Sequence, residues 1–334
     1  MNDKKIAVIG DGGWGTTLAI HLYKKGFRVS LWSAFEEYAD ILIKTRENAK
    51  FLPGIKIPQG VEISHSLKSV AEDAGLVILA VPSQYLREVL LKLKKEITPE
   101  KYVFLSVIKG LEIGTMKRMS EVIYEILGKI KLAVLSGPTI AREVAHETPS
   151  AAVVSSTDKS TAEKIQDIIM SDYFRIYTNY DLIGVELGGA LKNIIAIACG
   201  ISDGMGCGTN TKAAILTRGL AEMARMGTAM GAKKETFWGL SGMGDLVTTC
   251  SSSFSRNRFV GEEIGCGKKI TDILSGMHMV AEGVKTCDAA HQLAKIKNID
   301  APITEQIYLV LHKNKKPEIA VKDLMCRKKK EEKW

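Results

Sequence analysis

Two patterns along the chain predict an α/β fold, with an N-terminal doubly wound parallel sheet and an all-α C-terminal domain. Over the first half, short apolar runs alternate with amphipathic segments; over the second half only helical period remains. A third observation, a glycine-rich turn directly after the first apolar run, says what the sheet is for. The 334 residues, 46% of them hydrophobic, are enough for two packed domains. The change of pattern near residue 180 divides them into 1–180 and 181–334.

The apolar runs are KIAVIG (5–10), FRVSLW (27–32), LVILAVP (76–82), YVFLSVI (102–108), KLAVLSGP (131–138) and AAVVSS (151–156). They are rich in Val, Ile and Leu without polar alternation, as parallel strands covered on both faces are. SQYLREVLLKLKKEI (83–97) and TMKRMSEVIYEILG (115–128) between them have helical period. After FRIYTNYD (174–181) no convincing strand follows. Segments 182–204, 210–231, 255–265, 280–298 and 302–314 all read as helices, with Asp181, Asn210 and Ser255 as expected N-caps. There is no internal repeat and no low-complexity linker.

Composition narrows the partners. Net charge is +8, and the terminal RKKKEEKW, with five basic and two acidic residues, reads as a solvated tail. No Lys/Arg block is interleaved with aromatics, so nucleic acid is not an expected partner, while a mild basic bias suits a small anion. The six cysteines form no C-x-x-C pair and no metal-ligand spacing, as in a reduced cytoplasmic protein without a metal. MNDKKIAVIGDGG is no signal peptide, because Asp11 interrupts its apolar run. No apolar run reads as a membrane span: even 184–202 contains Glu186 and Lys192, so no integral membrane contact is expected.

Gly10-x-Gly12-x-x-Gly15 follows a strand and opens a helix, the context that makes this motif a dinucleotide signature of a Rossmann-like domain. Gly10 permits the tight turn, Gly12 the approach of a pyrophosphate and Gly15 close helix–strand packing, while the helix N-terminus offers free N–H groups. An acid at the end of the second strand would favour NAD and an arginine NADP. Ser33 and Ala34 are neither, and Glu36 and Glu37 come late, so the choice between NAD and NADP stays open.

Four clusters and one lysine bear on a substrate. VIKGLE puts Lys109 at the C-terminal end of a predicted strand, where open α/β sheets bind ligands, or simply in an ordinary loop. SGPTIAREV (136–144) turns at Gly137 and Pro138, and Thr139 can cap the next helix; it is a cradle for a small anion or carbonyl, or a plain turn. WGLSGMGDLVTTC (238–250) places three glycines before Asp245, a constrained backbone presenting one carboxylate, or a flexible loop. In SFSRNRF (253–259), Ser255 can cap a helix whose first residues are Arg256 and Asn257; either N–H groups, a guanidinium and an amide converge as a phosphate site does, or this is a plain capped helix with a surface Arg. Lys192 is the only basic residue between Arg175 and Lys212. On a helix it shares a face with Gly188, Gly189, Ile195, Ala196 and Cys199, a small and apolar surround. Either it snorkels to water, or desolvation and one carboxylate tune it for proton transfer.

GDGGWGTTLA, FLPGIKIP, KGLE, SGPTIAREVA, ELGGALKNIIAIACGISDGMG, TFWGLSGMGDLVTTC, SRN and VAEGV, in this order over about residues 5 to 290, resemble the bacterial-type NAD(P)-dependent glycerol-3-phosphate dehydrogenases. The resemblance implies an enzyme that interconverts dihydroxyacetone phosphate and sn-glycerol 3-phosphate with NAD(P)H and supplies glycerol 3-phosphate for phospholipid synthesis. It implies Lys192 as proton donor and acceptor. It implies substrate contacts from Lys109, Gly137, Thr139, Asp245, Ser255, Arg256 and Asn257. It implies cofactor contacts from Gly13 and Trp14 beside Gly10, Gly12 and Gly15, and from Lys109, Ala141, Arg256, Val280 and Glu282. The partner is a small phosphate substrate, and the assembly, a homodimer or not, stays open. The family often has Arg or His after LW; Ser33-Ala34 here leave 2′-phosphate recognition in doubt. Phe51 stands where Tyr is common. Two other readings stay open: a dehydrogenase of a hydroxy acid or acyl thioester, and a dinucleotide sensor without turnover.

Overall fold

The computed structural model describes residues 5–277, 280–329 and 331–332. The chain clusters into two compact units, Met1–Ile108 with Met119–Leu182, and Lys109–Arg118 with Ile183–Trp334.

The first unit carries one sheet of strands β1 (Lys5–Ile9), β2 (Val29–Trp32), β3 (Glu62–Ser64), β4 (Ala74–Leu79), β5 (Val103–Ser106), β6 (Lys131–Ser136), β7 (Ser150–Ser155) and β8 (Phe174–Asn179). Its helices are α1 (Gly13–Lys24), α2 (Glu36–Thr45), α3 (Leu67–Ala71), α4 (Leu86–Glu96), α5 (Met119–Leu127), α6 (Ala141–Ala145) and α7 (Lys159–Ile169). The spatial order is β3-β2-β1-β4-β5-β6-β7-β8. Successive residues of β1 point into different cores. Ile6 and Val8 join Leu31, Ile78 and Leu105, whereas Ala7 and Ile9 join Val77, Leu79 and Phe104. A strand buried on both faces needs apolar side chains at every position, which is why these runs lack polar alternation. The order reverses at β1, which has β2 on one side and β4 on the other. In such sheets ligands bind beyond the carboxyl ends of the strands at this reversal.

Three features depart from the sequence expectation. Strands β6 and β7 are antiparallel, although the other neighbours run parallel. The connection between them holds only the five-residue α6, too short to carry the chain back across the sheet face. Strand β3 was not expected: three residues at an edge leave no periodic signal. Two helix caps also differ. Ile140, not Thr139, is the N-cap of α6, and Thr139 Oγ1 donates instead to the Gly137 carbonyl at 3.1 Å. Gly208 precedes α9, and Asn210 lies within that helix's first turn.

The helical unit contains α8 (Leu182–Gly204), α9 (Thr209–Ala229), α10 (Asp245–Ser251), α11 (Arg256–Gly265), α12 (Ile270–Ser275), α13 (Glu282–Ile296), α14 (Pro302–Lys313) and α15 (Pro317–Met325). Helix α8 alone among the described residues is long and apolar enough to cross a membrane, but 94% of its apolar window is buried inside the protein. It is the core helix of this unit, with Leu191, Ile194, Ile195 and Ala198 packed among α9, α11, α13 and α14 residues. Buried Glu222 of α9 accepts from the N–H groups of Ile303 and Thr304 at 2.8 Å, satisfying the open end of α14. In the tail, Arg327 pairs with Asp300 at 2.7 Å, and the last residues of RKKKEEKW fall partly outside the described set.

Candidate active site

The glycine-rich turn after β1 is made of backbone. Gly10 follows β1 with φ +122°, a conformation L side chains rarely adopt. A Cβ there would sit 2.8 Å from the carbonyl carbon of Ala80, the residue after β4. Gly12 is the N-cap of α1 and has no side chain to bond the first-turn amides. A Cβ on Gly12 would meet nothing within 4 Å, so the space beside it is open. Open space against unsatisfied N–H groups and a positive helix end suits a pyrophosphate. A dinucleotide therefore fits the residues present. The Trp14 ring turns inward, edge-on to Phe174 at 6.1 Å, and leaves its backbone in the first turn. Ala141 lies beside Gly13 and accepts from Thr17 Oγ1 at 3.1 Å.

The loop after α2 is tied to this turn by Asn48, whose fully buried side-chain amide makes four bonds. Its Nδ2 donates to the Asp11 carbonyl at 2.6 Å and to Thr16 Oγ1 at 2.7 Å. Its Oδ1 accepts from Tyr38 and from the Phe51 N–H, at 2.7 and 3.2 Å. Asp11 itself is largely enclosed, and burial pushes its carboxyl up from the ordinary range.

The charged cluster lies within the helical unit. Lys192 is 5% exposed. Its ammonium donates to Asp245 Oδ1 and, at 2.5 Å, to Thr249 Oγ1. Lys109 donates to the other carboxylate oxygen of Asp245 at 2.7 Å. One carboxylate thus bridges two lysines, and the trio is net positive. Burial pushes the Lys192 pKa down to about 8; Asp245 opposes the shift and the like charge of Lys109 adds to it. With two protons given to Asp245 and Thr249, the third N–H of Lys192 is unengaged among the described residues.

The winding of the chain brings these groups together. A Cβ on Gly188 would stand 2.6 Å from the Ser241 carbonyl oxygen, so α8 touches the 240–244 backbone directly. That segment is a π-helical turn, closed by the Gly244 N–H on the Gly239 carbonyl at 3.1 Å, and it runs straight into α10. Lys192 is four residues after Gly188, and Asp245 four after Ser241. Contact at one level therefore puts the two charges face to face one turn further on.

Ser255 caps α11, its Oγ accepting from the Arg258 N–H at 3.2 Å. Arg256 donates to the Val280 carbonyl at 3.0 Å, just ahead of α13. Arg256 is exposed as a residue, but its guanidinium end is crowded by neighbouring atoms, which lowers its pKa, and the charge of Glu282 opposes the shift. Asn257 points inward. Its Nδ2 donates to Asn193 Oδ1 and its Oδ1 accepts from the Gly283 N–H, each at 2.9 Å. The expected convergence of guanidinium and amide on one point thus gives way to Arg256 outside and Asn257 as a bridge between α8 and α13.

Gly137, with φ +135°, turns the chain after β6, and Thr139 folds back onto its carbonyl. The sequence reading missed two participants. Thr249 stands one turn after Asp245 and also donates to its carbonyl at 2.7 Å, a spacing visible in DLVTT. Asn193 adjoins Lys192 but faces another side of α8, and no sequence signal points to Asn257 as its partner.

Family models described as NAD-dependent glycerol-3-phosphate dehydrogenase N-terminus and C-terminus match residues 5–162 and 181–322. A glycerol-3-phosphate dehydrogenase (NAD(P)+) of Syntrophotalea carbinolica is 50% identical over 330 residues, covering 98% of this chain and 99% of the relative. One of Geobacter sulfurreducens is 47% identical over 334 residues, covering 99% of each. The crystal structure of a glycerol-3-phosphate dehydrogenase from Coxiella burnetii superposes with a TM-score of 0.94 at 38% identity, over 97% of this chain and 99% of that one. Matched in both halves and over nearly its whole length, the chain belongs to the NAD(P)-dependent glycerol-3-phosphate dehydrogenase family.

Proposed function

We propose that this oxidoreductase interconverts dihydroxyacetone phosphate and sn-glycerol 3-phosphate with Lys192 as its proton donor and acceptor. The observation that carries the reading is a buried ammonium fixed by Asp245 and Thr249, with a pKa of about 8 and one N–H unengaged among the described residues. NAD(H) or NADP(H), when bound, exchanges a hydride with the carbon that bears the reacting oxygen. In the reducing direction that oxygen gains negative charge, which Lys192 stabilises and then protonates. Asp245 orients the ammonium and holds its pKa above what burial alone would leave. Lys109, on the same carboxylate, adds positive charge for an anionic substrate and serves cofactor and substrate alike.

The remaining roles are proposals of the same kind. Arg256 anchors the substrate phosphate by its guanidinium, with Ser255 and Asn257 shaping the helix end beneath it. Gly137 and Thr139 contact substrate. The Gly10–Gly15 turn, with Ala141 beside it, takes the pyrophosphate, and Val280 and Glu282 complete the cofactor contacts. Residues 1–180 act as the dinucleotide-binding domain and 181–334 as the substrate domain. The enzyme works in the cytoplasm as a homodimer and feeds phospholipid synthesis.

Oxidation of NADH and NADPH with dihydroxyacetone phosphate, followed by absorbance, tests the activity. Lys192→Ala should cut turnover by roughly a hundredfold to ten-thousandfold while dinucleotide affinity stays. Reduction needs the ammonium, so its rate should fall as pH rises through about 8; oxidation needs the free amine and should rise over the same range. A rate unchanged in Lys192→Ala ends the assignment. Arg256→Ala should raise KM for dihydroxyacetone phosphate, and an unmoved KM removes Arg256 from the phosphate.

A further inference from the structure

In doubly wound dinucleotide folds the choice at the adenosine ribose is made beyond the end of the second strand. A carboxylate there accepts from a free 2′-hydroxyl, and an arginine takes a 2′-phosphate. Here β2 ends at Trp32, and the residues that follow, Ser33 and Ala34, carry no charge.

The carboxylate comes from across the turn. Asp11 lies between Gly10 and Gly12, and its Oδ2 accepts a 2.6 Å hydrogen bond from Ser33 Oγ. Ser33 is 0% exposed, and its N–H is tied to the Ser64 carbonyl at 3.0 Å, so its hydroxyl is a fixed donor. Both neighbours of Asp11 in this arrangement are therefore immobile. Asn48 holds the Asp11 backbone carbonyl, and Ser33 holds one oxygen of its side chain.

The surrounding charge has the same sign. Glu36 and Glu37 occupy the first turn of α2, and residues 29–43 contain no Lys or Arg. Among the described residues, Lys50 is the cation whose charge bears on Asp11. It is exposed, and its ammonium lies 5.8 and 5.2 Å from the ring centres of Tyr38 and Phe51. A single solvated ammonium against three carboxylates does not make a site for a phosphate dianion.

We propose that this chain selects NAD(H) over NADP(H), and that Asp11, held by Ser33, is the selecting residue. Its carboxylate takes over at the ribose 2′-position the part that an acid at the end of β2 plays elsewhere. The proposal rests on the dinucleotide reading of the Gly10–Gly15 turn and adds which of the two cofactors it takes.

Calorimetric titration of the purified enzyme with NADH and with NADPH, at one ionic strength, tests it without turnover. NADH should bind at least about tenfold more tightly, the scale of one charged hydrogen bond. Asp11→Asn should narrow the ratio by a similar factor, mainly through tighter NADPH binding; Asp11→Ser serves if the first variant melts early. Ala34→Arg, at an exposed position, should tighten NADPH specifically. Equal binding of both dinucleotides by the unaltered enzyme overturns the selection, and an unmoved ratio in the Asp11 variants overturns the role of Asp11. Binding of neither overturns the dinucleotide reading and this proposal with it.

Discussion

The nucleotide turn and the lysine cluster are built in opposite ways. The first is backbone: glycines that leave room, and amides left open at a helix end. The second is side chain: two ammonium groups and one carboxylate taken out of water, at a cost that their pairing and the Thr249 hydroxyl help offset. A backbone site is written in contiguous residues, because the turn and its helix are local. A charged site is assembled across the chain, since Lys109 and Asp245 are 136 residues apart. The first should be sensitive to added volume and the second to lost charge.

Asp245→Asn should separate the two most sharply. Neutralising the shared carboxylate takes away the anion that bridges the two lysines, a loss of about 3–5 kcal/mol. Lys192 also loses the group that holds its pKa up, so the pH at which reduction fails should move below 8. Denaturant melts and pH–rate profiles check both, and NADH affinity should hardly change. A fold as stable as the parent would mean that the pairing contributes little.

Gly10→Ala should do the reverse. The forced φ and the clash with Ala80 should cost about 1–3 kcal/mol and weaken dinucleotide binding about tenfold. The pH midpoint for Lys192 should remain near 8. If that midpoint moved, the two sites would not be independent. The smallest effect concerns neither extreme: Ser255→Ala removes one capping bond and should lower stability by about 1 kcal/mol, read as a small drop in Tm.

Most of the fold was legible because each central strand had to be apolar throughout and five of the eight helices of the second half carried their own period, whereas α10, α12 and α15, with six to nine residues, did not announce themselves. Strand β3 and the antiparallel β7 were not, since an edge strand of three residues has no period and strand direction is set by the length of a connection. At the candidate site, Lys192 drew attention as a lone charge in an apolar helix, and Asp245 as an acid behind three glycines. Their pairing followed only from the contact of Gly188 with Ser241, which no local pattern encodes. The expected convergence of Asn257 with Arg256 failed because the helix start alone does not tell which side α8 covers. Asp11 escaped because a motif position is read for its glycines, while its partner, Ser33, is uncharged.

The π-helical turn at 240–244 has one further consequence. Such a turn holds one more residue than an α-helical turn in the same rise. Deleting a single residue there would let the segment rewind as ordinary helix while α10 keeps nearly the same face, because the extra residue is absorbed within the turn. The aim of Asp245 is therefore buffered against chain length, so a one-residue deletion in that turn should leave the carboxylate facing both lysines, whereas the same deletion inside α10 would turn later side chains by about 100°.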